Sequence, residues 1–213
     1  MMHLGRLAAE FFSRLAQLDE AIAAEVAARR CRHCDGPLHR GNYRRKPRGA
    51  LIAGAGEAFS LRHSLCCGRR GCRKRALPPS LRFLGRRVYL EAVVVLASVL
   101  AQTLGAIGAA TAASGVPWRT LRRWGTWWRD VFPRLPMWAD LRARFVPPPP
   151  DESALPRSLL GRLGGSLTSS TEPSPGLGEA MVKTARCLAP ATTSSVPDGS
   201  RFVVAAEAVT AMT

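Results

Sequence analysis

The 213-residue chain is predicted to be mainly α-helical with one small β module, and three observations carry that expectation. Apolar residues recur at helical spacing near the N-terminus and again between about residues 84 and 132. Two cysteine hooks, Cys31-Arg-His-Cys34 and Cys66-Cys67-Gly-Arg-Arg-Gly-Cys72, bracket an insert of hairpin length. Past residue 147 the composition turns to Pro, Gly, Ser and Thr. The expected order is an amphipathic helix (1–30), the cysteine-hooked β module (31–76), a helical unit with a helix-turn-helix corner (77–146), and a poorly ordered tail with short helices (147–213).

Leu4 to Arg30 reads as one helix, because Leu4, Leu7, Phe11, Leu15, Leu18, Ile22 and Val26 fall three or four residues apart on one stripe. Glu10, Arg14, Asp19, Glu20 and Glu25 make it too charged for a signal peptide. The stripe has two uses: packing on the rest of the chain, or zipping against a second copy through residues 4–26 to make a homodimer.

Between the hooks, His39 to Arg48 and Ala58 to Leu65 contain strand formers, and the stretch from Pro47 to Gly56 is loop chemistry. Two residues between Cys31 and Cys34 let one turn aim both thiolates at one ion, and Gly68 and Gly71 are expected to supply the backbone freedom of the wider second hook. Four thiolates suit one structural Zn²⁺, so the module reads as a zinc ribbon with ligands Cys31, Cys34, Cys67 and Cys72. Cys66 competes for the third position. His33 and His39 read as solvated or supporting groups. Disulfides need an oxidising compartment, which nothing in the sequence indicates.

The formal net charge is +16, and it is localised: residues 31–87 carry fifteen basic against two acidic side chains, while residues 1–30 balance. A polyanion is the expected partner, since neutralising phosphates releases condensed counterions. Arg44, Arg45 and Lys46 on the insert and Arg73, Lys74 and Arg75 after the second hook are the candidate phosphate contacts.

After Pro78-Pro79 a helix is expected from about Leu84 to Leu104. Its apolar run Val88 to Leu100 is interrupted by Glu91 and abutted by Arg86 and Arg87, and a spanning helix needs about 20 apolar residues, so a core helix is expected and no membrane partner. Ala106 to Ala113 is a short helix, Gly115 a turn, and Pro117 to Phe132 a second helix with Pro at its start. Val116, Leu121 and Trp124 should point inward, which leaves Trp118, Arg119, Thr120, Arg122 and Arg123 on the exposed first half of that helix, where a recognition helix carries its base-reading side chains. Trp127 and Trp128 read as core.

Together the stretches Cys31-Arg-His-Cys34, Phe59 to Cys67, Gly71 to Arg75, Pro78 to Tyr89 and Thr120-Leu-Arg-Arg-Trp124 resemble a family of small bacterial zinc-ribbon plus helix-turn-helix proteins related to, or found beside, insertion-sequence transposases. The resemblance implies a DNA-binding protein of a mobile element, with ribbon and corner both engaging duplex DNA, and it implies no catalytic activity. A transposase that cuts DNA through two metal ions needs converging carboxylates, and the acids after the corner lie mostly in linker-like sequence, so no enzyme is expected. The expected setting is the cytoplasm, on the nucleoid, with a transposase as a further partner. Two other readings stay open: an adaptor docking on a transposase or polymerase, and an RNA binder.

Overall fold

The computed structural model describes residues 9–47, 57–84, 89–146, 151–165 and 176–192. The chain is mainly helical with a small antiparallel sheet. Leu4, Leu7, Arg48, Arg86, Arg87, the four prolines 147–150 and residues 193–213 lie outside the described residues.

Helix α1 spans Ala9–Ala28, with Glu10 in its first turn, where a carboxylate complements the helix dipole. It stops where Arg30 turns left-handed (φ 65°), a conformation more commonly given to glycine. Phe11, Phe12, Leu15 and Ala23 are buried, and Leu18 and Ile22 pack against the same core. From Phe11 to Ile22 the apolar stripe packs on the rest of the chain.

The insert forms one hairpin in two arms. Strand β1 (Leu38–Arg40) pairs with β4 (Leu65–Cys67), and β2 (Tyr43–Arg44) pairs with β3 (Leu61–Arg62). Every step along one arm is matched by a step on the other, so Leu38 faces Cys67 and Arg44 faces Leu61 in a single register. At the break Gly41 N–H donates to Ser64 O (2.7 Å) and Ser64 N–H donates to Asn42 Oδ1 (3.1 Å), which satisfies the backbone through the kink. A fifth strand, β5 (Arg75–Ala76), adds to the outer edge of β4.

The core is built around α2 (Glu91–Thr103), whose first ten residues are all buried. At 1.5 Å per residue it is about 20 Å long, against the roughly 30 Å of a bilayer interior. No helix among the described residues is long and apolar enough to cross a membrane. It starts seven residues later than the periodicity predicts: Leu81–Leu84 are buried outside any helix or strand, and Arg82 O accepts the Glu91 N–H (2.9 Å).

Around it pack α3 (Ile107–Ser114), α4 (Trp118–Thr126), α6 (Arg157–Arg162) and α7 (Leu177–Leu188). Helix α4 widens into a π-type turn over Trp127–Val131 before a tight turn at Phe132–Arg134 and the short helix α5 (Pro136–Arg142). The wider turn gathers Trp127, Trp128 and Phe132 into one set of edge-on and tilted rings with Trp138, and Trp128 Nε1 donates to Ser98 Oγ on α2 (3.1 Å).

The expectation of a loosely packed tail is corrected for residues 151–165 and 176–192. Leu155, Leu159, Leu160, Leu177, Met181 and Leu188 are buried in the common core, and Gln102 of α2 donates to Leu155 O (2.7 Å). Cys187 packs against that core, and burial, with the neighbouring Glu91 carboxyl, pushes its thiol up to about 12.

One buried ion pair joins the β module, α1 and the segment before α2. Asp19 and Arg82, with side chains 1% exposed, lie 2.8 Å apart. Asp19 also accepts from Ser80 Oγ (2.7 Å) and from Leu81 N–H (2.6 Å), while the Arg82 guanidinium donates to Phe59 O (3.1 Å) and Leu61 O (2.9 Å). The donors of a buried guanidinium must be met in this way for its burial to be tolerated.

Candidate metal centre and basic surfaces

The two hooks fold into matched turns. In the first, Cys34 and Asp35 N–H donate to Cys31 O (3.3 and 2.7 Å); in the second, Cys72 and Arg73 N–H donate to Arg69 O (3.0 and 3.2 Å). In each the residue after the last cysteine takes positive φ, 55° at Asp35 and 48° at Arg73. The expected role of the glycines changes accordingly: Gly71 has open space around it, and Gly68 leaves room for the His39 ring, which a Cβ there would meet at 2.4 Å. Gly36 serves the cluster itself, since a Cβ at that position would come within 3.0 Å of Cys67 Sγ.

These turns bring Cys31, Cys34, Cys67 and Cys72 together, with all four sulfurs within 4.8 Å of one another. Cys31 Sγ lies 3.7 Å from Cys72 Sγ, and Cys34 Sγ lies 3.5 Å from Cys67 Sγ. Four thiolate sulfurs about 2.3 Å from one ion at tetrahedral angles are about 3.8 Å apart, so the set can close on a single metal ion with small movements. All six cysteines of the chain are free thiols.

Cys66 alternates with Cys67 along β4 and points to the other face, where its sulfur lies 3.6 Å from Arg73 O. The choice left open by the sequence thus falls on Cys67. His33 and His39 are exposed and stand outside the sulfur set.

Backbone amides two residues on serve three of the sulfurs: His33 for Cys31, Arg69 for Cys67 and Lys74 for Cys72. Such donors favour the thiolate, the form that binds metal. The Cys31 thiol is drawn down to about 7, first by the His33 amide. At Cys67 the Arg69 amide acts in the same sense, but burial and the adjoining thiols outweigh it and push the group up to about 12.

The basic residues divide into two groups. Arg62 and Arg82 are buried: Arg62 donates to His63 O (3.2 Å) and Pro78 O (2.6 Å), so neither adds to a polyanion-facing surface. Arg44, Lys46, Arg73, Lys74 and Arg75 are exposed, and Arg45 is half-buried over the Phe83 ring (5.0 Å). Arg40 pairs with Glu20 of α1 (2.9 Å). Sequence reasoning did not single out Arg30 and Arg69, which donate to Asp35 O (2.7 Å) and Cys34 O (3.2 Å) and with His39 line a shallow groove of about 320 Å³ beside the sulfurs. Their positions flanking the hooks were the available signal.

The second surface is on α3 and α4. Gly115 ends α3 in the left-handed region (φ 67°), with its N–H donating to Thr111 O (2.8 Å), and Pro117 leads into α4. Val116, Leu121 and Trp124 are buried as expected. Arg119, Arg122 and Arg123 are exposed, Thr120 is half-buried, and Trp118 keeps 45% of its surface exposed. The guanidiniums of Arg122 and Arg119 lie over the Trp118 ring at 5.0 and 5.4 Å.

No family model, curated protein or solved structure matches this chain.

Proposed function

We propose that the chain is a sequence-selective duplex-DNA-binding protein of a mobile element, related or accessory to a transposase, in which a zinc ribbon and a helix-turn-helix both contact DNA. The observation that carries this reading is the α3–Gly115–α4 corner. One face of α4 is buried through Leu121 and Trp124, while Arg119, Arg122 and Arg123 are exposed along its first two turns, where a recognition helix meets base edges. The sulfur-only donor set supports zinc, because soft thiolates at tetrahedral spacing select it over magnesium or calcium. The exposed Arg44, Lys46, Arg73, Lys74 and Arg75 supply phosphate contacts, which position without specifying sequence.

Selection of bound sequences from a random duplex pool tests this reading, followed by affinities of variants for the selected site and for random duplex. Arg119→Ala should weaken the selected site about 5- to 150-fold more than random duplex, the worth of one bidentate base contact. Arg44→Ala and Arg73→Ala should weaken both duplexes alike, with a shallower dependence on salt. Equal losses from all three variants would leave α4 reading no sequence, and an adaptor that docks on another protein would then explain the basic surface better.

A further inference from the structure

Trp118 is out of place by the rule that governs the rest of α4. Leu121 and Trp124 of the same helix are buried, yet Trp118 stands 45% exposed at its first position. What lies against it is charged: the Arg122 guanidinium 5.0 Å and the Arg119 guanidinium 5.4 Å from its ring centre. Arg122 is four residues on, the spacing at which helical side chains meet, and the adjacent Arg119 reaches the ring through the length of its own side chain. Neither guanidinium has a carboxylate partner among the described residues.

An arginine in water samples many rotamers, and ordering it on binding opposes association. An aromatic face attracts a guanidinium through the ring quadrupole while leaving the in-plane N–H groups open to acceptors. One indole holding two arginines therefore restrains two donor forks near a single ring before any partner arrives.

We infer that Trp118 is a positioning residue for sequence recognition: it holds Arg119 and Arg122 pre-ordered, with their N–H edges available to neighbouring base edges. The inference rests on the reading of α4 as the recognition helix. It assigns Trp118 no base contact of its own, and it predicts that the aromatic face matters more than its apolar bulk.

The test compares Trp118→Leu, which keeps apolar bulk without a π face, with Trp118→Tyr, which keeps the face, in the full metal-loaded chain. Trp118→Leu should reduce the preference for the pool-selected site over random duplex about tenfold, the combined effect of loosening two stacked arginines. Its melting temperature should stay unchanged, its affinity for random duplex should fall less than its affinity for the selected site, and Trp118→Tyr should retain most of the preference. In DNA-free protein, NMR of the arginine Nε–H groups should show Arg119 and Arg122 ordered in the unmodified chain and in Trp118→Tyr, and mobile in Trp118→Leu. A preference that survives Trp118→Leu overturns this inference alone, as does a Tyr variant as impaired as the Leu one, which would place the indole itself on the bases. An unmodified chain that binds all duplexes equally overturns the recognition-helix reading along with it.

Discussion

Replacing Asp19 by Ala removes the carboxylate that faces the buried Arg82 guanidinium. The Arg82 side chain is 1% exposed, and its Nε lies 2.8 Å from the Asp19 carboxylate. With that carboxylate gone, the guanidinium keeps the Phe59 and Leu61 carbonyls but loses its Asp19 counter-charge, and the Ser80 hydroxyl and Leu81 N–H lose their acceptor. Breaking a buried pair by removing one partner costs about 3–5 kcal/mol, a large part of the roughly 5–15 kcal/mol that holds a domain folded. At about 2–4 °C per kcal/mol for a chain of this size, the melting temperature should fall by about 6–20 °C. The Arg14–Glu179 pair is the control, because its side chains approach to 2.6 Å but are each 49% exposed. There Glu179→Gln should cost under about 1 kcal/mol, since solvent screens the pair. Urea and thermal unfolding of metal-loaded protein measure both, and the double variant Asp19→Ala/Arg82→Met should regain most of the loss by leaving no buried charge. An Asp19→Ala protein within about 1 kcal/mol of Glu179→Gln would refute the reasoning.

The metal set predicts that Cys67→Ser purifies with less than stoichiometric metal and Cys66→Ser with one ion per chain; equal retention by the two would remove the four-sulfur centre from the account. Glu91 predicts a pH signature. Burial, and then the Asp19 charge, hold its carboxyl well above the ordinary 4.5, with neither oxygen hydrogen-bonded. The stability of that protonated group is complete below about pH 4.5 and is lost as pH rises through the folded-state value. Glu91→Gln should therefore match the parent near pH 4 and become progressively more stable than it toward pH 8. A stability difference that does not change with pH would contradict this.

The elements with a strong local signal were legible. The helical spacing of Phe11, Leu15, Leu18 and Ile22, the Gly115 turn and the two cysteine hooks each appear where the pattern places them. The choice between Cys66 and Cys67 was not, because strand alternation decides it and two adjacent residues give no phase until the register with β1 is known. Asp19 sits four residues from both Leu15 and Ala23 on the buried stripe, so an acid among core positions was visible, but its partner lies sixty-three residues away. Counting Arg62 and Arg82 as surface charge was an error of the same kind, since composition carries no burial. In the tail a short helix was expected over Leu177 to Leu188 and is found there; what the flanking Gly, Ser and Pro obscured is that its stripe of Leu177, Met181, Thr184 and Leu188 is buried.

Arg82 also explains how two small units act as one. Its side chain binds the hairpin through Phe59 O and Leu61 O and α1 through Asp19, while its own carbonyl accepts the first N–H of α2, against which α3 and α4 pack. A flexible linker would let the metal module and the corner engage a duplex independently, each meeting its own ordering cost. With a buried hub instead, the exposed arginines near the hooks and those of α4 keep a fixed separation. On the proposed DNA-binding reading, phosphate contacts made by the first surface would set the position at which the second meets the bases, so that contacts without sequence information would sharpen those that have it.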